Sequence, residues 1–128
     1  MRRIFGWLAV CLVLVGCASS SAGGGTVADG AVDLASRFPS GVTVIYFHST
    51  SCESCKYQDR HNPEITPDLN SLNVGFVKIA PNNATIKKYG IRRYPTLMVL
   101  RDGRETQRFT GVTYREDLLP AVRSALGQ

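Results

Sequence analysis

Six consecutive residues, Val42-Thr-Val-Ile-Tyr-Phe47, are β-branched or aromatic, and Thr43 is the one polar member. A strand with one wet face alternates between apolar and polar residues; this run leaves no face for water. It therefore reads as a strand buried on both sides. That demands neighbouring strands on its edges and a layer of structure on each face. A chain of 128 residues has room for one such domain and hardly two.

The flanking segments supply the layers. Ala31 to Phe38 reads as a short helix stopped by Pro39 and Gly41. A helical segment starts at Cys52, and Pro63 and Pro67 are expected to kink or restart it. Thr66-Pro67-Asp68 has the form of an N-cap followed by proline at the first helical position. Val74 to Ile79 is a second strand, and Ala84 to Tyr89 a short helix closed by Gly90. Thr96 to Leu100 is a third strand. Asp102-Gly103 marks a hairpin turn into Glu105 to Phe109. Thr113-Tyr-Arg-Glu116 fits a capping box. Tyr114, Leu118, Val122 and Leu126 line one face of a final helix, which Pro120 should kink. An uncompensated proline there costs about 3 kcal/mol. The expected fold is α/β: a central mixed sheet with helices on both faces.

The amino-terminal part is of another kind. Met1-Arg2-Arg3 is basic, and Ile4 to Val15 is apolar except for Gly6. Those 12 residues fall short of the roughly 20 that span a bilayer. They match the core of an export signal. The arginine pair faintly resembles a twin-arginine signal, but no polar residues precede it. The run ends in Leu14-Val-Gly-Cys17, which resembles the lipobox of bacterial lipoproteins, where a lipid joins the Cys17 sulfur. An ordinary cleaved signal with a chance cysteine is the alternative. The expected division is a signal peptide over 1–16, a lipidated cysteine and tether over 17–28, and a folded domain over 29–128. Ala18 to Gly25 is small and polar; such a tether reaches about 16 Å.

This reading places the protein outside the cytoplasm, anchored to a membrane through Cys17. It also weakens any inference from the formal charge of +5. Cleavage would remove Arg2 and Arg3 from the 15 basic side chains, leaving 13 against 10 acidic ones. A balance that mild in an exported chain does not point to nucleic acid.

Of four cysteines, Cys11 would leave with the signal and Cys17 would carry lipid. Cys52 and Cys55 remain, so no larger disulfide framework exists. They follow a strand and open a helix. A spacing of three sets them one turn apart, within the 4.4–6.8 Å that a disulfide usually spans. A helix N-terminus offers unpaired N–H groups and a positive dipole end, both of which favour a thiolate at Cys52. Cys55 lies a turn deeper. An outer attacking thiol and an inner resolving thiol suit disulfide exchange.

Thr43 to Lys56, with Cys52-Glu-Ser-Cys55 inside it, resembles the strand and active-site helix of thioredoxins. Tyr89-Gly-Ile-Arg-Arg-Tyr-Pro-Thr-Leu97 resembles the family's stretch around its cis-proline, and Arg101 to Arg104 with Phe109-Thr-Gly111 its hairpin and following loop. The resemblance runs from about Ala31 to Leu126. It implies a thioredoxin-like fold and a thiol–disulfide oxidoreductase with Cys52 and Cys55 as its catalytic pair. It implies that Tyr94-Pro95 is cis and faces that pair, and that Tyr94, Pro95 and Gly111 bind substrate. Pro95 as a plain trans proline at the start of a strand is the other reading. No cofactor or metal is required beyond the cysteine pair. The implied partners are protein disulfides and an upstream redox protein.

Three departures stand out. Ser51 replaces the family's usual Trp, Glu53-Ser54 its Gly-Pro, and Tyr46 its buried Asp. Without that Asp, water or another group must take the proton of Cys55. Glu53 also opposes the helix dipole, and the Glu-Ser pair lacks the cationic help of a strongly stabilised thiolate, which favours a reductant or a mid-range potential. His48 and His61 flank the cysteines as possible zinc or copper ligands, but each also suits a packed or solvated histidine. A metal-binding or chaperone-like module of the same fold is therefore the alternative function. Arg92 and Arg93 either favour acidic substrates or are simply solvated.

Overall fold

The computed structural model describes residues 30–128. The expected signal segment, the lipid-bearing Cys17 and the tether lie outside the described residues. The elements are α1 (Leu34–Arg37), β1 (Val42–Phe47), α2 (Glu53–Ser71), β2 (Gly75–Ile79), α3 (Asn83–Tyr89), β3 (Thr96–Arg101), β4 (Arg104–Thr110) and α4 (Arg115–Leu126).

All six residues of β1 are buried. The sheet runs β2-β1-β3-β4, with β1 parallel to β2 and antiparallel to β3. Alternate β1 side chains feed two separate cores. Val42, Val44 and Tyr46 pack with Ile65 and Leu69 of α2 and Leu118 and Val122 of α4. Ile45 and Phe47 pack on the other face with Leu34 of α1 and Ile91, while Ile86 of α3 closes that side. Each fully buried aliphatic or aromatic side chain contributes about 1.5–3 kcal/mol, so β1 anchors both layers. The α/β architecture is the one the sequence predicts.

Several local expectations are corrected. The α2 helix neither restarts at Pro67 nor stops at Pro63; both lie inside one 19-residue helix. Both prolines are exposed, so the carbonyls they leave unpaired lie on the solvent side, where water satisfies them. The Thr66 hydroxyl donates back to the Asn62 carbonyl at 2.8 Å, so it caps nothing. Exposed Pro120 lies within the single helix α4. Its N-cap is Tyr114, without a side-chain cap bond, so the capping box at Thr113 does not form. Thr113 is buried, and its N–H donates to Gln58 Oε1 at 2.7 Å. The α1 helix is shorter than expected because tertiary bonds draw off its first amides. Val32 N–H goes to Thr85 Oγ1 and Leu34 N–H to the Tyr89 hydroxyl, both at 2.9 Å.

The β3–β4 turn has the expected form. Asp102 and Gly103 both have positive φ, 51° and 76°, as a tight hairpin of this kind requires. Asp102 also ties the turn to Gly41, accepting its N–H at 2.8 Å through Oδ1. A Cβ on Gly103 would lie 2.7 Å from the Ala35 Cα, so α1 packs on the turn through a gap that only glycine leaves. Gly103→Ala should therefore cost about 1–3 kcal/mol in urea unfolding, from strained backbone and a backbone clash. A loss below about 0.5 kcal/mol, the size of an ordinary surface change, would contradict this packing.

Candidate active site

The carboxyl end of β1 sets the site. Phe47 pairs with Ile79 on one side and Thr96 on the other, and His48 N–H continues the ladder to the Ile79 carbonyl at 3.0 Å. The chain then turns, with Cys52 N–H on the Ser49 carbonyl at 3.3 Å. Cys52 is the N-cap of α2, and its sulfur accepts the Cys55 N–H at 3.1 Å. A thiol here does what a serine or aspartate side chain does at other helix starts. Both cysteines are free thiols.

The pair is asymmetric in depth. Cys52 is partly exposed, whereas Cys55 is only 2% exposed. Burial pushes the Cys55 thiol above its ordinary pKa, and the adjacent Cys52 sulfur adds to the shift. The Ser49 backbone and the Tyr46 hydroxyl pull it the other way. Glu53, in the first turn, is held by Lys56 at 3.1 Å; both side chains are exposed, so the pair adds little.

The second motif arrives from β3. Thr96 opposite Phe47 brings Pro95 to the same end of the sheet as the Ser49–Cys52 turn. The Tyr94–Pro95 peptide bond is cis, and Pro95 is buried. Tyr94 lies close enough to both sulfurs for them, after burial itself, to push its phenol pKa up. Gly111, at φ 98°, donates its N–H to the Pro95 carbonyl at 2.8 Å. Tyr94, Pro95 and Gly111 therefore stand together beside the cysteines. A cleft of about 480 Å³ is lined by Gly90, Arg92, Arg93, Thr96, Arg108 and Thr110. Arg108 is neutralised there by Glu105 through two 2.7 Å bonds, while Arg92 and Arg93 are exposed.

The histidines turn to aromatic rings. His48 packs on Tyr46 at 5.7 Å, and His61 lies between Tyr57 at 4.7 Å and Tyr114 at 5.3 Å. Burial and nearby Lys78 hold His48 below its ordinary pKa. Among the described residues, no group of three or more His, Cys, Asp or Glu is placed to hold a metal ion.

The family model for thioredoxin matches residues 32–124. The chain belongs to the thioredoxin family. As a thioredoxin-family protein it is a thiol–disulfide oxidoreductase. It is 27% identical to a thioredoxin of Chlamydia caviae over 82 residues, covering 64% of this chain and 80% of that one. A thioredoxin of Staphylococcus aureus is 29% identical over 87 residues, covering 67% and 84%. Chicken protein disulfide-isomerase A3 is 31% identical over 128 residues, 93% of this chain but 24% of that longer protein. Among solved structures, Trypanosoma brucei brucei thioredoxin superimposes with TM-score 0.63 at 21% identity, covering 73% and 82%. Reduced thioredoxin 2 of Pseudomonas aeruginosa does so with 0.60 at 24%, covering 77% and 93%. At those identities the superpositions establish the fold.

Sequence reasoning missed two parts of this thioredoxin site. Gln58, fully buried in α2, grips Thr113 from both sides: its Oε1 takes the N–H, and its Nε2 donates to the carbonyl at 3.0 Å. That clamp holds the loop carrying Gly111. The other is Asp59, whose carboxylate takes Lys78 Nζ at 2.8 and 2.9 Å. Neither was visible from spacing, because both partners come from distant elements.

The depth asymmetry has a direct readout. Near neutral pH, iodoacetamide should alkylate Cys52 well before Cys55, with mass mapping to locate the first adduct. In Cys52→Ser, alkylation of Cys55 should rise only above the ordinary thiol range. Equal rates at the two sulfurs would contradict the burial argument.

Proposed function

We propose that the protein is a membrane-tethered, extracytoplasmic thioredoxin that reduces protein disulfides through Cys52 and Cys55. The observation carrying this is the pair itself: an accessible sulfur capping α2, a buried sulfur one turn behind it, and the Tyr94–Pro95–Gly111 edge alongside. Cys52, as thiolate, attacks one sulfur of a substrate disulfide, and the other sulfur leaves with the electron pair. Cys55, deprotonated, then attacks Cys52 Sγ, and the second substrate sulfur leaves. The substrate gains two electrons, and Cys52–Cys55 becomes a disulfide. An upstream dithiol partner returns it to the reduced state. No cofactor takes part.

Tyr94 lies just outside the β3 ladder, which begins at Thr96. An extended substrate segment can add there through its backbone. Exposed Arg92 and Arg93 make that flank basic, which suits acidic residues near the target disulfide. The reducing direction is supported by the residues between the sulfurs: Glu53 is acidic and paired with Lys56, and Ser54 is neutral.

Extracytoplasmic anchoring is supported by the basic start, the apolar Ile4 to Val15 and the Leu14-Val-Gly-Cys17 sequence. Two acyl chains and an N-acyl group bury enough CH₂ units, at about 0.8 kcal/mol each, for stable attachment. By resemblance to Gram-negative sorting, Ala18 in place of Asp after the cysteine permits transfer to an outer membrane, where the source has one.

Two experiments test these assignments. Cys55→Ser should hold mixed disulfides between Cys52 and substrate proteins on non-reducing gels, while Cys52→Ser should not. Equal trapping by both would remove the assignment of roles. Separately, Cys17→Ser expressed with its leader should leave the membrane fraction or remain uncleaved. Mature protein still fractionating with membranes would overturn the lipid anchor.

A further inference from the structure

Charge is divided unevenly between the two helical layers. On the face built by α1, α3 and the link from α3 to β3, Arg37, Lys87, Lys88, Arg92 and Arg93 are all exposed. The acid among them is Asp33, which takes Lys88 Nζ at 3.3 Å. Arg37, Lys87, Arg92 and Arg93 enter none of the salt bridges among the described residues. The opposite layer is acidic: α2 and α4 carry six Asp or Glu residues against four Lys or Arg. The described chain also begins on the basic face. Asn82, the N-cap of α3, donates through Nδ2 to the Gly30 carbonyl at 3.1 Å, and Val32 N–H donates to Thr85 Oγ1 of the same helix. Twelve residues separate Gly30 from Cys17. A chain extends by at most about 3.3–3.6 Å per residue, which keeps Gly30 within roughly 45 Å of a lipid on that sulfur.

We propose that the α1–α3 face docks on the anionic phospholipid surface of the membrane that holds Cys17. This rests on the reading of Cys17 as the lipid-bearing residue. Each Lys or Arg close to anionic headgroups favours binding about fivefold, and phosphate oxygens suit the guanidinium fork of Arg37. A lipid anchor makes the contact intramolecular, so modest attraction suffices to select one face. The acidic layer is turned away by the same field. An acidic protein would also fit these charges. The entry of the chain against α3 favours the membrane, because the anchor brings headgroups to that side of the domain.

Docking sets the orientation of the active site. The two helical layers enclose the sheet, so a domain lying on α1 and α3 holds its sheet along the membrane plane. The Ser49–Cys52 turn and Pro95 stand at one end of that sheet. Their rim then opens sideways, along the surface. Arg92 and Arg93 border both the headgroups and the Tyr94 edge. The substrates presented in line with Cys52 are therefore disulfides of proteins held at the same membrane.

The four lysines of the chain provide the test, because they divide between the faces. Lys87 and Lys88 belong to α3, whereas Lys56 lies on α2 and Lys78 is bonded to Asp59 of α2. Protein purified from membranes is bound to phosphatidylcholine vesicles with or without phosphatidylglycerol. A membrane-impermeant amine reagent is added, and the adducts are mapped by mass. With phosphatidylglycerol present, Lys87 and Lys88 should react severalfold more slowly, while Lys56 and Lys78 keep their rates. Raising salt to about 0.5 M should remove the difference. Arg37→Glu/Lys87→Glu should return Lys88 to its rate on neutral vesicles and leave reduction of a small soluble disulfide unchanged, with circular dichroism to check folding. Equal rates on the two kinds of vesicle, or equal slowing at all four lysines, would overturn the docked face and leave the anchor standing. Slowing in native membranes but not on pure lipid would overturn it in favour of an acidic protein. Protein that does not float with neutral vesicles would overturn the anchor at Cys17, and the docking with it.

Discussion

Burial of β1 on both faces is the constraint on which the rest depends. A strand with β2 and β3 bonded to its edges and helices over both faces has no freedom to shift. A slip of one residue would exchange Val44 and Tyr46 with Ile45 and Phe47 between two different cores. The end of β1 is thereby held in space, and so is the turn that leaves it. Cys52 inherits its position from Phe47, five residues back.

From that fixed point the two sulfurs acquire different chemistry through depth alone. The first caps α2 and is partly exposed; the second is buried in the first turn of the helix. The β3 strand, antiparallel to β1, necessarily starts where β1 ends, so Pro95 comes to the same rim. Gly111 follows by its bond to Pro95, and Gln58 holds the next loop by pairing both polar groups of Thr113. A buried amide and carbonyl satisfied by one side chain is an economical lock, since either group left alone would cost about 1–3 kcal/mol. The site is thus assembled from three segments far apart in the chain, each held by backbone pairing or a buried polar contact.

Buried polar groups near the cysteines are tied to partners from other elements. Asp59 and Lys78 lie 19 residues apart and meet as α2 passes β2. The Tyr46 phenol, too buried to ionise, donates to the Cys55 carbonyl at 3.1 Å. Polar groups at such a place are connected or costly, and among the described residues no buried side-chain polar atom lacks a partner.

Much of this was legible in the residues themselves. The unbroken run Val42–Phe47 pointed to a central strand, the Asp102-Gly103 pair to a hairpin, and Cys52-x-x-Cys55 beside a strand and before a helix, together with Tyr94-Pro95-Thr96, to a redox-capable pair. These depend on neighbours within a few positions, where dihedral preference and side-chain period act directly. Pro67 was misread as a helix start because the cost of an internal proline depends on whether the orphaned carbonyl meets water, which only exposure in the fold decides. Thr113 was misread as a cap because Gln58, 55 residues away, competes for its N–H. The Asp59–Lys78 pair was invisible for the same reason: its members come from α2 and β2, and only folding brings those together.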